Sequence, residues 1–175
     1  FQGAFLSKRT RKAQRAHGKR KATAQRDTPS TAPTPLTTSV LVLVAYLGLA
    51  FLLYGPALDG DFISDDRHYV EQNVYVHEPT GGNLVAILNP TSVVSVLVEN
   101  YAPVHLLAHS LEWQFFGSDV RGYHVVNVIL HATVAWLLVL LFQRTLISAP
   151  AAIFAGFLFL AHPANVEAVA WISQL

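Results

Sequence analysis

Two runs without a charged side chain, Thr37–Tyr54 and Tyr123–Phe142, limit what this chain can become more than any other feature. A helix rises about 1.5 Å per residue, so runs of roughly 18 and 20 residues cover most or all of a hydrocarbon core about 30 Å thick. In hydrocarbon, backbone polar groups have only each other to bond, which leaves helices or closed barrels. Both runs are continuous rather than alternating, which selects helices. A third apolar run, Ala151–Leu160, starts another span that His162-Pro163 interrupts. The reading is an all-α membrane protein with three transmembrane helices, at 37–55, 121–144 and 150–175. Composition agrees: 13% of residues are charged, about half the share usual in soluble domains.

Charge sets an orientation. Nine of the twelve Lys and Arg residues fall between Lys8 and Arg26, whereas 59–119 carries nine acidic residues and one basic residue, Arg67. Basic residues flanking a first span stay on the cytoplasmic side. Residues 1–36 therefore read as a basic, largely disordered cytoplasmic tail in contact with membrane lipid, and 56–120 as an outer loop. The basic run has almost no interleaved aromatic and leads straight into a span, so nucleic acid is not expected as a partner. A cleaved signal peptide fits less well, because the stretch ahead of the apolar run is too long for one. The chain has no cysteine, which excludes disulfides and thiolate metal sites.

Within the outer loop, Thr80-Gly81-Gly82-Asn83 and Asn89-Pro90 read as turns. Leu84–Leu88 and Val93–Val98 are too short to cross a membrane. In 104–116, Val104, Ala108, Leu111 and Phe115 recur at helical spacing, with His105, His109 and Glu112 on another face. That is an amphipathic helix lying in the interface, its polar face turned to water or to the loop. On the second long span, His124, Asn127 and His131 share one stripe, and polar groups at such depth face other helices. His131 reads as helix-to-helix glue, and His124 and Asn127 as part of a site. Eight histidines invite a metal or pigment reading, but no ligand signature accompanies them.

The densest chemistry is Phe62-Ile63-Ser64-Asp65-Asp66-Arg67-His68-Tyr69, just beyond the first span. Adjacent carboxylates beside a cation, an imidazole and a phenol suit proton transfer at a membrane surface. A solvated turn after a helix is the plainer alternative.

Taken in order, Asp65-Asp66-Arg67-x-Tyr69, Asn73, Tyr101-x-Pro103, Phe116-Gly117, Gly122-Tyr123-His124-x-x-Asn127-x-x-x-His131-Ala132 and Ala161-His162-Pro163-x-x-x-Glu167-Ala168-Val169-Ala170-Trp171-Ile172 resemble the amino-terminal membrane region of GT-C glycosyltransferases. The branch most similar is the protein O-mannosyltransferase-like proteins that carry tetratricopeptide repeats. The resemblance covers about 60–173. It implies a polyprenyl-phosphate-linked sugar donor used at the outer face of a bacterial inner membrane or of the endoplasmic reticulum. It also implies a catalytic role for Asp65 or Asp66. Donor or substrate contacts would come from Arg67, Tyr69, Asn73, Tyr101, His124, Asn127, His162 and Glu167. No cofactor is expected, with a divalent metal left open.

The chain departs from the family pattern in places. It has Ala102 where the family commonly has arginine in Tyr-Arg-Pro, and Asn165 and Val166 where a second His and a Thr are common. The family also continues into further spans and helical repeats. The resemblance therefore implies the front part of a longer enzyme. The alternative is a non-catalytic membrane subunit or anchor built on the same front half and packed against other membrane proteins.

Overall fold

The computed structural model describes residues 35–145 and 148–174, and the basic tail lies outside them. Among the described residues every regular element is helical. Helix α1 (Leu36–Tyr54) continues through a 3-10 turn, Gly55–Asp59. A π-helical turn at Arg67–Glu71 follows, then α2 (Val74–His77), α3 (Gly81–Leu88), α4 (Val93–Leu97) and α5 (Pro103–Phe116). Helices α6 (Val120–Thr145), α7 (Ala149–Leu160) and α8 (Val166–Ala170) complete it, with 3-10 turns at Pro163–Asn165 and Ile172–Gln174.

The long helices are turned inside out relative to those of a water-soluble protein. Helix α1 buries Ser39, Tyr46, Ala50 and Tyr54, and α6 buries His124, Asn127, His131, Ala132 and Ala135. Their outward faces carry exposed Leu41, Val44 and Leu52 on α1, and Leu130, Val134, Leu137 and Leu141 on α6. Polar and small side chains inside with branched apolar ones outside is the pattern that a lipid solvent selects. Both helices are long and apolar enough to cross a membrane. The chain is a multi-pass membrane protein.

The third span is not one helix. Helix α7 has 12 residues, about 18 Å, too short for the hydrocarbon core. It is bent by 51° from the segment Pro163–Ala170. Pro163 lacks an amide proton, so the ladder must break there, and side chains take up the freed carbonyls. The Leu160 carbonyl accepts from Tyr54 Oη (3.2 Å) and from His131 Nε2 (3.1 Å), and the Phe159 carbonyl accepts from Asn165 Nδ2 (2.6 Å). Such substitute partners are what allow a broken helix inside a bilayer. His131 is thus the glue expected, and its partner is the break.

Tight packing holds α1, α6 and α7 together. A Cβ on Gly156 would collide with Val139, with the Tyr46 hydroxyl and with the Ala135 carbonyl. Tyr46 Oη donates to the Ile153 carbonyl, and Trp136 Nε1 donates to Ser39 Oγ (3.1 Å).

The segment between α1 and α6 builds a second core from Phe62, Val70, Val76, Ile87, Val94 and Leu106, joined by Tyr123 of α6 and by Ile172. One turn expected from sequence is a helix start instead. Thr80 Oγ1 accepts from the Asn83 amide at 3.2 Å, and Asn83 Nδ2 donates to the Glu78 carbonyl at 2.7 Å. Gly81 and Gly82 are therefore the first turn of α3. A Thr cap with an Asn at the third helical position outweighs two poor helix formers. The turn at Asn89-Pro90 forms as expected, with Asn89 Oδ1 accepting from the Thr91 amide at 3.0 Å.

Helix α5 has the expected two faces, but the polar one does not face water. His109 and Glu112 are buried, while Val104, Leu111 and Phe115 point outward. The histidines and one oxygen of the carboxylate bond to one another, which eases their burial against the loop core. Gly117 ends α5 at φ 55°, a left-handed conformation that suits glycine.

Candidate functional site

The acid pair divides. Asp66 is 1% exposed, and each of its oxygens accepts a backbone amide: Oδ2 from Ile63 at 3.1 Å and Oδ1 from Ser173 at 2.7 Å. The second bond pins the start of the loop to the far end of the described chain. Asp65 is exposed, with Oδ1 accepting only from the neighbouring Ser64 hydroxyl at 3.2 Å. It lines an open groove of about 460 Å³ with His68, Tyr69, Leu97, Val98, Glu99 and Asn100.

Two backbone strains flank that groove. Among the described residues only Ser64 (φ 48°) and Glu99 (φ 54°) have positive φ without being glycine. Left-handed backbone costs an L-residue roughly 1–2 kcal/mol. Strain of this kind gathers at working sites held by their surroundings. Ser64 immediately precedes Asp65, and Glu99 stands in the groove wall.

The other expected site residues fall into three groups. Tyr69 is in the groove wall with its ring against that of His105, centroids 5.1 Å apart. Arg67 is exposed and lies 3.8 Å from Glu71 one turn on. Asn73, Asn127 and His124 face inward. Asn73 caps α2 by accepting from the Tyr75 amide (3.1 Å) and donates to the His68 carbonyl (3.0 Å). Asn127 Nδ2 donates to the Trp171 carbonyl at 2.9 Å. His124 is buried against Gly60, within electrostatic reach of Asp66, and neither ring nitrogen has a protein partner.

Tyr101, His162 and Glu167 stand apart from the groove. Tyr101 Oη donates to the Leu88 carbonyl at 3.0 Å. His162 Nδ1 accepts from the Ala164 amide at 3.1 Å and borders an apolar crevice of about 350 Å³ with Leu53, Pro56 and Ala170. Glu167 is exposed. Around Asp66 the structure thus gathers His124, Asn127 and 171–173, and around Asp65 it gathers Tyr69, His68 and Glu99.

Glu99 and Asn100 carry no signal in the sequence, since exposed polar residues in a loop are ordinary, whereas His68 belongs to the cluster that the sequence singles out. Among the described residues no group of three or more His, Cys, Asp or Glu is arranged to hold a metal.

Much of the motif string is joinery. Gly122 leaves the space that the Phe116 ring occupies, and Tyr123 Oη donates to the Gly117 carbonyl at 2.8 Å. These contacts clamp α5 onto the top of α6.

Fold and site together describe a multi-pass membrane protein with a carboxylate-bearing polar groove. The chain is 36% identical over 128 residues to protein O-mannosyl-transferase Tmtc1 of Drosophila melanogaster, covering 70% of this chain and 15% of that protein. It is 32% identical over 127 residues to protein O-mannosyl-transferase tmtc2 of Xenopus laevis, and 31% identical over 129 residues to the human TMTC2 protein. In those two cases 71% and 72% of this chain is covered, and 15% of the relative. Over the stretch they share, the chain resembles the Tmtc-type protein O-mannosyl-transferases. It spans about 15% of their length. No family model matches the chain, and no solved structure matches it significantly.

Proposed function

We propose that this chain is the front membrane portion of a GT-C-type glycosyltransferase that moves mannose from a polyprenyl phosphate to a hydroxyl acceptor. The work is done at the non-cytoplasmic face, which in a eukaryotic cell is the lumen of the endoplasmic reticulum. The observation that carries this reading is the free carboxylate of Asp65 in a polar groove, beside a neighbour whose oxygens are already occupied. That the relatives are protein O-mannosyl-transferases suggests the sugar and the bond type.

In this mechanism the acceptor oxygen attacks the anomeric carbon as the bond from that carbon to the phosphate oxygen breaks. Asp65 takes the hydroxyl proton, and the polyprenyl phosphate leaves as the anion. Asp66 holds the floor of the site in register through the Ile63 and Ser173 amides. Arg67 exchanges its weak surface contact with Glu71 for the donor phosphate, a charge-assisted pairing that guanidinium favours. Arg67 is then the cation that stands in for the arginine missing at Ala102. Tyr69 forms one wall. Asn127 and Asn73 position the backbone around the site through the Trp171 and His68 carbonyls, and His124 packs beside Asp66.

The test separates the two acids in the full-length natural protein. Asp65→Asn keeps size and hydrogen bonding but takes no proton. Transfer should fall about 10²–10⁴-fold, the range of a positioned base, at normal abundance. Full transfer by Asp65→Asn at normal abundance would overturn the role of Asp65, and absence of transfer by the wild-type protein would favour the other reading, a non-catalytic membrane subunit, which the missing arginine at Ala102 also suits.

A further inference from the structure

One chain of polar contacts in α5 takes no part in the mechanism above. Glu112 Oε2 lies 2.7 Å from His109 Nδ1, and His109 Nε2 lies 2.8 Å from His105 Nε2. His109 is wholly buried and Glu112 nearly so, and Glu112 Oε1 is buried without a partner. At the outer end, the His105 ring packs on Tyr69, which lines the groove. Other titratable groups nearby are engaged elsewhere. Tyr123 bonds the Gly117 carbonyl, His77 stacks on Trp113 and bonds the Val70 carbonyl, and Arg67 pairs with Glu71. Helix α3 brings no titratable side chain.

Counting protons leaves two neutral-ring arrangements. With Glu112 ionised, His109 carries its proton on Nδ1 and accepts at Nε2. His105 must then donate from Nε2, leaving its Nδ1 as an acceptor. With Glu112 protonated, every bond reverses and His105 carries its proton on Nδ1. The two states differ by one proton, and neither contains an imidazolium. The charge that vanishes on uptake is that of a buried carboxylate already short of one partner, a costly charge to keep.

We propose that Glu112, His109 and His105 form a one-proton store that opens beside Tyr69 and accepts the proton released by the acceptor hydroxyl in the groove. This rests on the reading of the groove given above. The proton passes from the Asp65 carboxyl to His105 Nδ1. The His105 Nε2 proton then moves to His109 Nε2, and the His109 Nδ1 proton to Glu112. Asp65 is ionised again while product is still bound, and the store empties to solvent by the reverse path. Burial, with His109 alongside, pushes the His105 pKa from 6.5 down to about 4, so the proton does not rest on that ring.

The experiment uses the full-length natural protein in lipid nanodiscs with 15N-labelled histidine, the His105 signals being identified with His105→Gln. At neutral pH His109 should be the Nδ1–H tautomer and His105 the Nε2–H tautomer. On acidification towards pH 5 both should switch together, without imidazolium signals, as the infrared band of one protonated carboxyl appears. Glu112→Gln should abolish the switch and the band, and should lower kcat about 10²-fold with KM unchanged. Imidazolium signals in place of the switch, or fixed tautomers across that range, would overturn the store. The wild-type spectra decide this even where Glu112→Gln folds poorly. Asp65→Asn should lose transfer yet keep the switch, so failure of the groove assignment and failure of the store are told apart.

Discussion

Asp66 and Asp65 share a sequence context and have opposite surroundings. Removing the negative charge from Asp66 places an amide among two backbone donors, where its NH2 group has no acceptor to meet. Asp66→Asn should therefore lower membrane abundance and thermal stability, by about 1–3 kcal/mol for a buried group left mispaired. Asp65→Asn should leave both unchanged. Fluorescence-detected size-exclusion profiles taken after a heating series would read the difference. Asn73 is a second structural side chain among the expected site residues. Asn73→Ala loses the α2 cap and strands the His68 carbonyl, at a cost of about 1 kcal/mol for the cap alone. The same heating series should show it as a lower midpoint, with little change in kcat for the protein that survives.

At the scale of elements, the contact of α7 with α1 and α6 depends on Gly156. Gly156→Ala should destabilise the bundle by about 1–3 kcal/mol, because the added methyl meets the Ala135 backbone as well as two side chains. Helix α5 gives a second expectation, for its outward stripe of Val104, Leu111 and Phe115. A spin label at Phe115→Cys should be relaxed more by oxygen, which concentrates in lipid, than by a water-soluble nickel chelate. The reverse order would turn that stripe to water. The long helices and α5 were legible in the sequence because uncharged runs and helical spacing are strong local signals. The break after α7 was announced by His162-Pro163, but its repair was not. Only the fold brings the Leu160 carbonyl to Tyr54 and His131, residues far from it in sequence. The helix start at Thr80 was misread as a turn because a double glycine suggests one, while its cap works through a side chain. The division of labour between Asp65 and Asp66 was invisible, since the Ser173 amide that claims Asp66 lies 107 residues away. The groove partners Glu99 and Asn100 join Asp65 and His68 for the same reason, through folding rather than spacing.

At the scale of the whole molecule, two cores meet at the top of α6. One lies among α1, α6 and α7, and the other in the segment that joins α1 to α6, completed by Tyr123 and Ile172. The sidedness of this arrangement follows from charge. Nine basic residues ahead of α1 should hold the tail in the cytoplasm and put the groove on the opposite face. A cysteine placed at Thr23 should resist an impermeant thiol reagent in sealed, right-side-out vesicles, and one at Asp119 should react with it. Reaction at Thr23 alone would invert the topology.

The bond from Asp66 to the Ser173 amide also sets an order of events during synthesis. A ribosome delivers the acid pair more than a hundred residues before it delivers the group that fixes one of them. Until then Asp66 has only the local Ile63 amide as a backbone partner, and its other oxygen waits for one. The specialisation of the two acids is complete when the last described turn swings back from the bent third helix and docks. A nascent chain halted before residue 173 would carry every groove residue and still lack the bond that sets Asp66 apart from Asp65.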